Sequence, residues 1–241
     1  MAASFEKPQL HNAVERGVWS EVTRARREGV PWSEITNAQG IRALHQAVLV
    51  GETPIVRYML DWDAPPGQYQ TKGGQRHSPL WAAISRHRDD VAEMLVRAGA
   101  ECDLGDPFDP ANRGVPPLVG SSVRRMPQTT MALLHCGADF LGLTPEQRLL
   151  IFKSWLTGLS LNTPGSLLAV QALDDTGWFP QPDEARALDD LMREAGSQLS
   201  GEALQTLERL RASWRERRSK RSVPNQTATA PVRHALHRER P

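Results

Sequence analysis

The side chains best suited to chemistry fall into three groups. The first is thiol and imidazole: His135 and Cys136 are adjacent near an expected helix end, Cys102 reads as the same place one unit earlier, and His234 and His237 form an HxxH. Zinc needs three or four N, S or O ligands converging on one point. An HxxH alone supplies two, and the cysteines have no ligand spacing. No metal and no cofactor are therefore expected, and the thiols read as buried spacers in a reducing compartment. The second group is acidic: Asp174 and Asp175 are the neighbouring carboxylates at which an activity in 143–218 would be tested first. No glycine-rich phosphate loop, nucleophile elbow, HExxH or CxxC accompanies them, so catalysis is not expected. The third group is arginine and aromatic. Arg86, Arg88, Arg124 and Arg125 offer guanidinium forks to an acidic or phosphorylated protein surface, and Tyr69, Trp81 and Phe108 are of the types that anchor protein interfaces.

Composition narrows the classes. A net charge of +1 over 241 residues gives the whole chain no strong preference for nucleic acid or an anionic membrane. Hydrophobic residues at 39% suffice for a core, yet 24% charge with two Tyr and five Phe makes it thin, as in an array whose core is spread along a line. The opening residues lack an apolar stretch after a basic start, and no apolar run approaches the ~18 residues of a bilayer span. A cytoplasmic protein is expected.

Helical hairpins must position these groups. Residues 78–104 carry one apolar stripe at Leu80, Ala82, Ala83 and Ile84 and a second at Val91, Met94, Leu95 and Val96. A polar turn at 86–89 separates them, and Ala98-Gly99-Ala100 closes the second. Neither stripe is long enough to hold a helix alone, so the hairpin needs neighbours. It has them. The pair Leu80 and Val91 recurs as Leu10 and Glu21, Leu44 and Ile55, and Leu118 and Thr129, always eleven residues apart, with steps of 34, 36 and 38 between units. A constant core with variable connectors marks stacked units joined by tolerant loops. The longest connectors are 65–76, rich in Gly, Pro and Gln, and 105–114, with Asp-Pro twice. In this register Arg16, Val50, Arg86 and Arg124 precede the turns, so three arginines line up as a ridge. Two readings of it stand side by side: a partner-binding stripe, or ordinary solvated turns whose field Glu15, Glu52, Asp89 and Asp90 neutralise. Trp81 likewise fits either an interface anchor or a filler between units.

These residues resemble ankyrin repeats. The likeness is carried by the opening tetrads Ser78-Pro79-Leu80-Trp81, Arg42-Ala43-Leu44-His45 and Pro116-Pro117-Leu118-Val119. It extends to the exits Ala98-Gly99-Ala100 and Cys136-Gly137-Ala138-Asp139, and to Ile55-Val56 opening a second helix. It covers about 5–142, in units near 5–37, 38–74, 75–111 and 112–142. Trp81 and Val119 stand where the family prefers His, and Asp63-Ala64 replaces a Gly-Ala exit. The first unit, with Glu21 and Arg26, reads as a solvent-facing cap. The resemblance implies an all-α, ankyrin-type solenoid that binds another protein through its concave face and loop edge, as a scaffold, adaptor or host-directed effector, without catalysis. It also implies that His11 and His45 make structural hydrogen bonds between units.

Beyond residue 142 the register loosens. Thr144-Pro145 reads as the start of a helix through 151–155, and Thr163-Pro164 as the start of another through 167–173, together a degenerate fifth unit within the region 143–218. Amphipathic stripes over 182–195 and 200–218 read as a C-terminal helical cap, with Trp62, Trp155, Trp178 and Trp214 assigned to core. The polar stretch 219–241 is expected to be a disordered basic tail. The run Arg211, Arg215, Arg217, Arg218, Lys220 and Arg221 reads either as a nucleic-acid, lipid or import signal, or as a solvated helix end that the helix dipole favours. Nucleic-acid binding by ridge or tail, and an unrecognised activity in 143–218 with the repeats as its targeting arm, are the alternative functions.

Overall fold

The computed structural model describes residues 7–32, 35–71, 73–105, 114–199 and 201–222. Among these the chain is mostly helical. Its elements in order are α1 (Lys7–Glu15), α2 (Trp19–Arg27), α3 (Ala43–Val50), α4 (Thr53–Asp61), the ribbon β1 (Tyr69–Gln70) and β2 (Arg76–His77), α5 (Pro79–Ser85), α6 (Asp89–Arg97), α7 (Pro117–Val123), α8 (Pro127–His135), α9 (Pro145–Ser160), α10 (Ser166–Asp175), α11 (Pro182–Gly196) and α12 (Gly201–Ser222). Consecutive helices pair as hairpins. The first helices form one layer in the order α1, α3, α5, α7, α9, α11, and the second helices α4, α6, α8, α10 and α12 form another. A single apolar core runs through the row from Ala13 to Trp214.

The hairpins form because the backbone solves one problem the same way each time. After the first helix a residue turns left-handed: Gly17, Gly51, His87, Arg125 and Asn162 have φ of 66°, 92°, 57°, 54° and 54°. The next N–H then reaches back five residues: Val18 to Ala13, Glu52 to Ala47, Arg88 to Ala83, Met126 to Ser121 and Thr163 to Gly158, at 2.8–3.2 Å. This closure satisfies carbonyls that a helix end leaves free. The exits repeat it. Gly29, Asp63, Gly99, Gly137 and Gly177 are left-handed, and the N–H groups of Val30, Ala64, Ala100 and Ala138 bond to Ala25, Met59, Leu95 and Leu133. The pair α9–α10 therefore shares the backbone pattern of the four hairpins before it, although its stripes are irregular. Its second helix starts later than Thr163-Pro164 suggests: Thr163 closes the turn, and left-handed Gly165 precedes Ser166. At Thr144 the expected cap is present, as a full capping box with Gln147 behind Pro145.

Polar side chains bind one hairpin to the next. The Asp89 carboxylate accepts from the N–H groups of Gln128 and Thr129 and from the Thr129 hydroxyl, capping α8 from the neighbouring unit. Thr53 donates to Asp90, Gln68 N–H to Glu101, and Asp139 N–H to Asp103. The far end is closed by α11 and α12. Arg148 donates to Glu184 Oε1 at 2.9 Å and to the Leu141 and Leu143 carbonyls, while Glu184 Oε2 accepts from Gln181 N–H. Trp214 of α12 meets Phe152 and Trp178 edge-on, with ring centroids 5.3 and 5.6 Å away. The C-terminal helix extends to Ser222, four residues past the expected end, and the remaining tail, 223–241, lies outside the described residues.

Candidate interaction surface

Of the arginines expected on a binding ridge, Arg88 and Arg125 turn to neighbouring hairpins and Arg124 to its own helix. Arg88 is half-buried, its Nη1 3.5 Å from the Gly51 carbonyl, and its guanidinium fills the space a side chain at Gly51 would need. Arg124 is half-buried and donates to the Gly120 carbonyl at 3.3 Å. Arg125 is the left-handed turn residue, and its side chain runs towards Gly158 of the next hairpin. Arg16 and Arg86 remain exposed at their turns, with half-exposed Val50 between them in the row. The continuous arginine stripe is thereby reduced to separate charges.

The loop-edge aromatics are placed inward. The Tyr69 hydroxyl accepts from Arg42 N–H at 3.1 Å, the Arg42 guanidinium lies 4.5 Å from its ring centroid, and the ring stacks on His77. The 65–76 finger thus folds back on its own hairpin, and Tyr69 is buried. Trp81, also buried, donates its Nε1–H to the Leu104 carbonyl at 3.1 Å. Its ring takes the space above Gly120, where a Cβ would come within 2.5 Å of it. Of its two readings, filler between units is the one the geometry satisfies. Phe108 lies outside the described residues; of its connector only the flanking Gly105 and Gly114 are described, and their backbones lie against each other.

Under this edge lies a pocket of imidazoles. His45 contacts both Tyr69 and His77 edge-on, at 5.9 and 5.2 Å between centroids. Burial above all, then the nearby His77 and Arg86 charges, pulls His45 down to about 4. Burial lowers His77 and His11 as well; for His11 the Glu15 charge, then a bond to the Ile41 backbone of the next unit, opposes the shift. Among the described residues only His11 shows the expected hydrogen bond to the next unit; His45 meets its neighbours through ring contacts.

The exposed aromatic surface lies elsewhere, on the second-helix layer. Trp62, expected in the core, is 45% exposed, and Trp19 is 44% exposed. Tyr58 joins them, with ring centroids 5.0 Å from Trp19 and 6.3 Å from Trp62. Arg26 lies over Trp62 at 4.4 Å. Between α2 and α4 the Trp19 and Tyr58 rings border a hollow of about 480 Å³ lined also by Pro54, Arg57 and Asp61. A second hollow of about 390 Å³, between α4 and α6, shares Arg57 and Asp61 and adds Leu60 and Met94. Spacing alone hides Trp62: it follows Ile55 by seven residues and Met59 by three, which is the core face, but it lies at the cap past the last turn of α4, where the helical direction no longer holds.

Three residues of the terminal basic run dock α12. Arg217 bonds to the Asp174 carboxylate and to the Asp174 and Trp178 carbonyls, Arg218 to the Pro180 carbonyl and Arg211 to that of Asp189. Asp174 is thereby a structural acceptor. Among the described residues no three His, Cys, Asp or Glu side chains converge as metal ligands, and no helix is long and apolar enough to cross a membrane. Cys102 is not the counterpart of Cys136: the helix cap equivalent to Cys136 is Ala98, and Cys136 is exposed. Comparison with protein-family models and with curated protein sequences gives no match for this chain.

Proposed function

We propose that this protein is an ankyrin-type repeat array that binds another protein and carries out no catalysis of its own. One observation carries the reading: Trp19, Tyr58 and Trp62, with Arg26 and Arg57, spread across two consecutive hairpins on an exposed face. Scattered surface rings need no explanation, but a contiguous aromatic patch with arginine has the composition of an interface centre. A rigid row of hairpins has met its ordering cost on folding, so a partner meets a preorganised surface. The four-unit register and the turn closures support the ankyrin-type assignment. The binding face is then the outer, second-helix layer rather than the ridge.

The test compares tagged full-length protein with a Trp19→Ala/Trp62→Ala variant and an Arg16→Ala/Arg86→Ala variant. Each is checked by circular dichroism and used for affinity capture from the source cell's extract, and the hits are re-examined with purified components. At least one direct partner is expected to lose tenfold or more in affinity with the tryptophan variant and little with the arginine variant. Equal binding by all three would remove the aromatic face. The absence of any direct partner would remove the reading.

A further inference from the structure

Cys102 and Cys136 belong to consecutive hairpins, yet both lie on the seam where the two exits run together. Cys136 caps the end of α8, and its thiol lies 4.0 Å from the Val96 carbonyl in the last turn of α6. Cys102 lies in the exit that follows α6, its thiol 3.5 Å from the Ala100 carbonyl, and the Cys136 thiol is near enough to act on its ionisation. The neighbouring residues are tied as well, since Asp139 N–H donates to the Asp103 carboxylate at 2.9 Å. Two exit segments from different units are thus held side by side, with one thiol exposed and the other half-buried. The geometry points to a redox clamp: an intramolecular disulfide between Cys102 and Cys136 that locks the third hairpin to the fourth. It rests on the placement of the thiols and is independent of the protein-binding reading.

The chemistry needs an oxidant, and a low-molecular-weight disulfide such as oxidised glutathione is the class that fits an exposed thiol. The Cys136 thiolate attacks one glutathione sulfur, forming a mixed disulfide and releasing one glutathione. The Cys102 thiolate then attacks the Cys136 sulfur, forming the protein disulfide and releasing the second glutathione. Two electrons pass to the oxidant, and the two thiol protons end on two glutathione thiols. Exposure orders the steps: the exposed Cys136 meets the oxidant first and the half-buried Cys102, its thiol pushed up to about 11 by burial above all, resolves. The bond closes a loop that contains all of α7 and α8 and the 105–114 connector, restricting the unfolded chain.

The full-length protein is incubated with oxidised glutathione, alkylated, digested without reductant and analysed by mass spectrometry, with thermal unfolding measured alongside. The expected result is a linked peptide pair bearing Cys102 and Cys136, and an unfolding midpoint raised by roughly 5–10 °C. Dithiothreitol reverses both. Cys102→Ser and Cys136→Ser variants, folded by circular dichroism, show neither. Two free thiols after oxidation, glutathione retained on Cys136, disulfide-linked dimers, or a linked form with an unchanged midpoint would each overturn the clamp.

Discussion

His45 shows how a single side chain can couple this fold to pH. It sits between Tyr69 and His77, its Nδ1 without a hydrogen-bond partner among the described residues. Held down to about 4 against an ordinary 6.5, it stays neutral in the folded chain while the unfolded chain takes up a proton. The sign follows. Stability is complete above pH 6.5 and is lost as pH falls from there towards 4, because the unfolded state binds more protons throughout that window. His77, shifted the same way by burial, adds to the slope. Urea midpoints measured at pH 7.5 and pH 5 should differ by about 2 kcal/mol of folding stability on account of His45 alone. A His45→Asn variant should lose that part of the difference, and an unchanged slope would assign it to other groups.

At the scale of elements, the Arg148–Glu184 pair is the joint between the hairpin row and its terminal helices. Both side chains are nearly enclosed, and Arg148 also holds the Leu141 and Leu143 carbonyls. Removing one partner strands a buried charge, so Glu184→Ala should cost about 3–5 kcal/mol, whereas an Arg148→Met/Glu184→Leu double variant should recover most of it. Denaturant midpoints of the three proteins decide this. Such a joint cannot be read from sequence, because its members are 36 residues apart and neither breaks a pattern. The hairpins themselves were legible: stripes at helical spacing and a turn after each are local, and residues 78–104 fold as α5 and α6 with the turn where it was expected. The aromatic side chains were less so. Whether Tyr69 points out with its finger or folds in depends on a bond to Arg42, 27 residues away, and whether Trp62 faces core or solvent depends on how α2 lies beside α4. Periodicity identifies a helix face. It does not say which neighbour covers it.

At the scale of the molecule, each hairpin is stabilised by the ones beside it, so the ends carry special demands. The last hairpin places Phe152, Trp178 and Trp214 in one aromatic cluster, and Arg217 fastens α12 over Asp174 and Trp178. Ending the chain at Gly177 removes Trp178 together with α11 and α12 and uncovers Phe152 and Leu156. Thermal unfolding followed by circular dichroism should then give a midpoint lower by roughly 10 °C, with dye binding to exposed apolar surface already present at room temperature. A truncated chain that unfolds at the full-length temperature would show that the terminal helices are not needed for closure. The repeated left-handed turns have one more consequence. They deliver the end of every first helix in the same orientation, unit after unit, at the ~8–10 Å that separates packed helices. A one-residue insertion between Gly17 and Val18, or at any of the other four closures, would therefore break the five-residue return and rotate every later hairpin away from the ones before it.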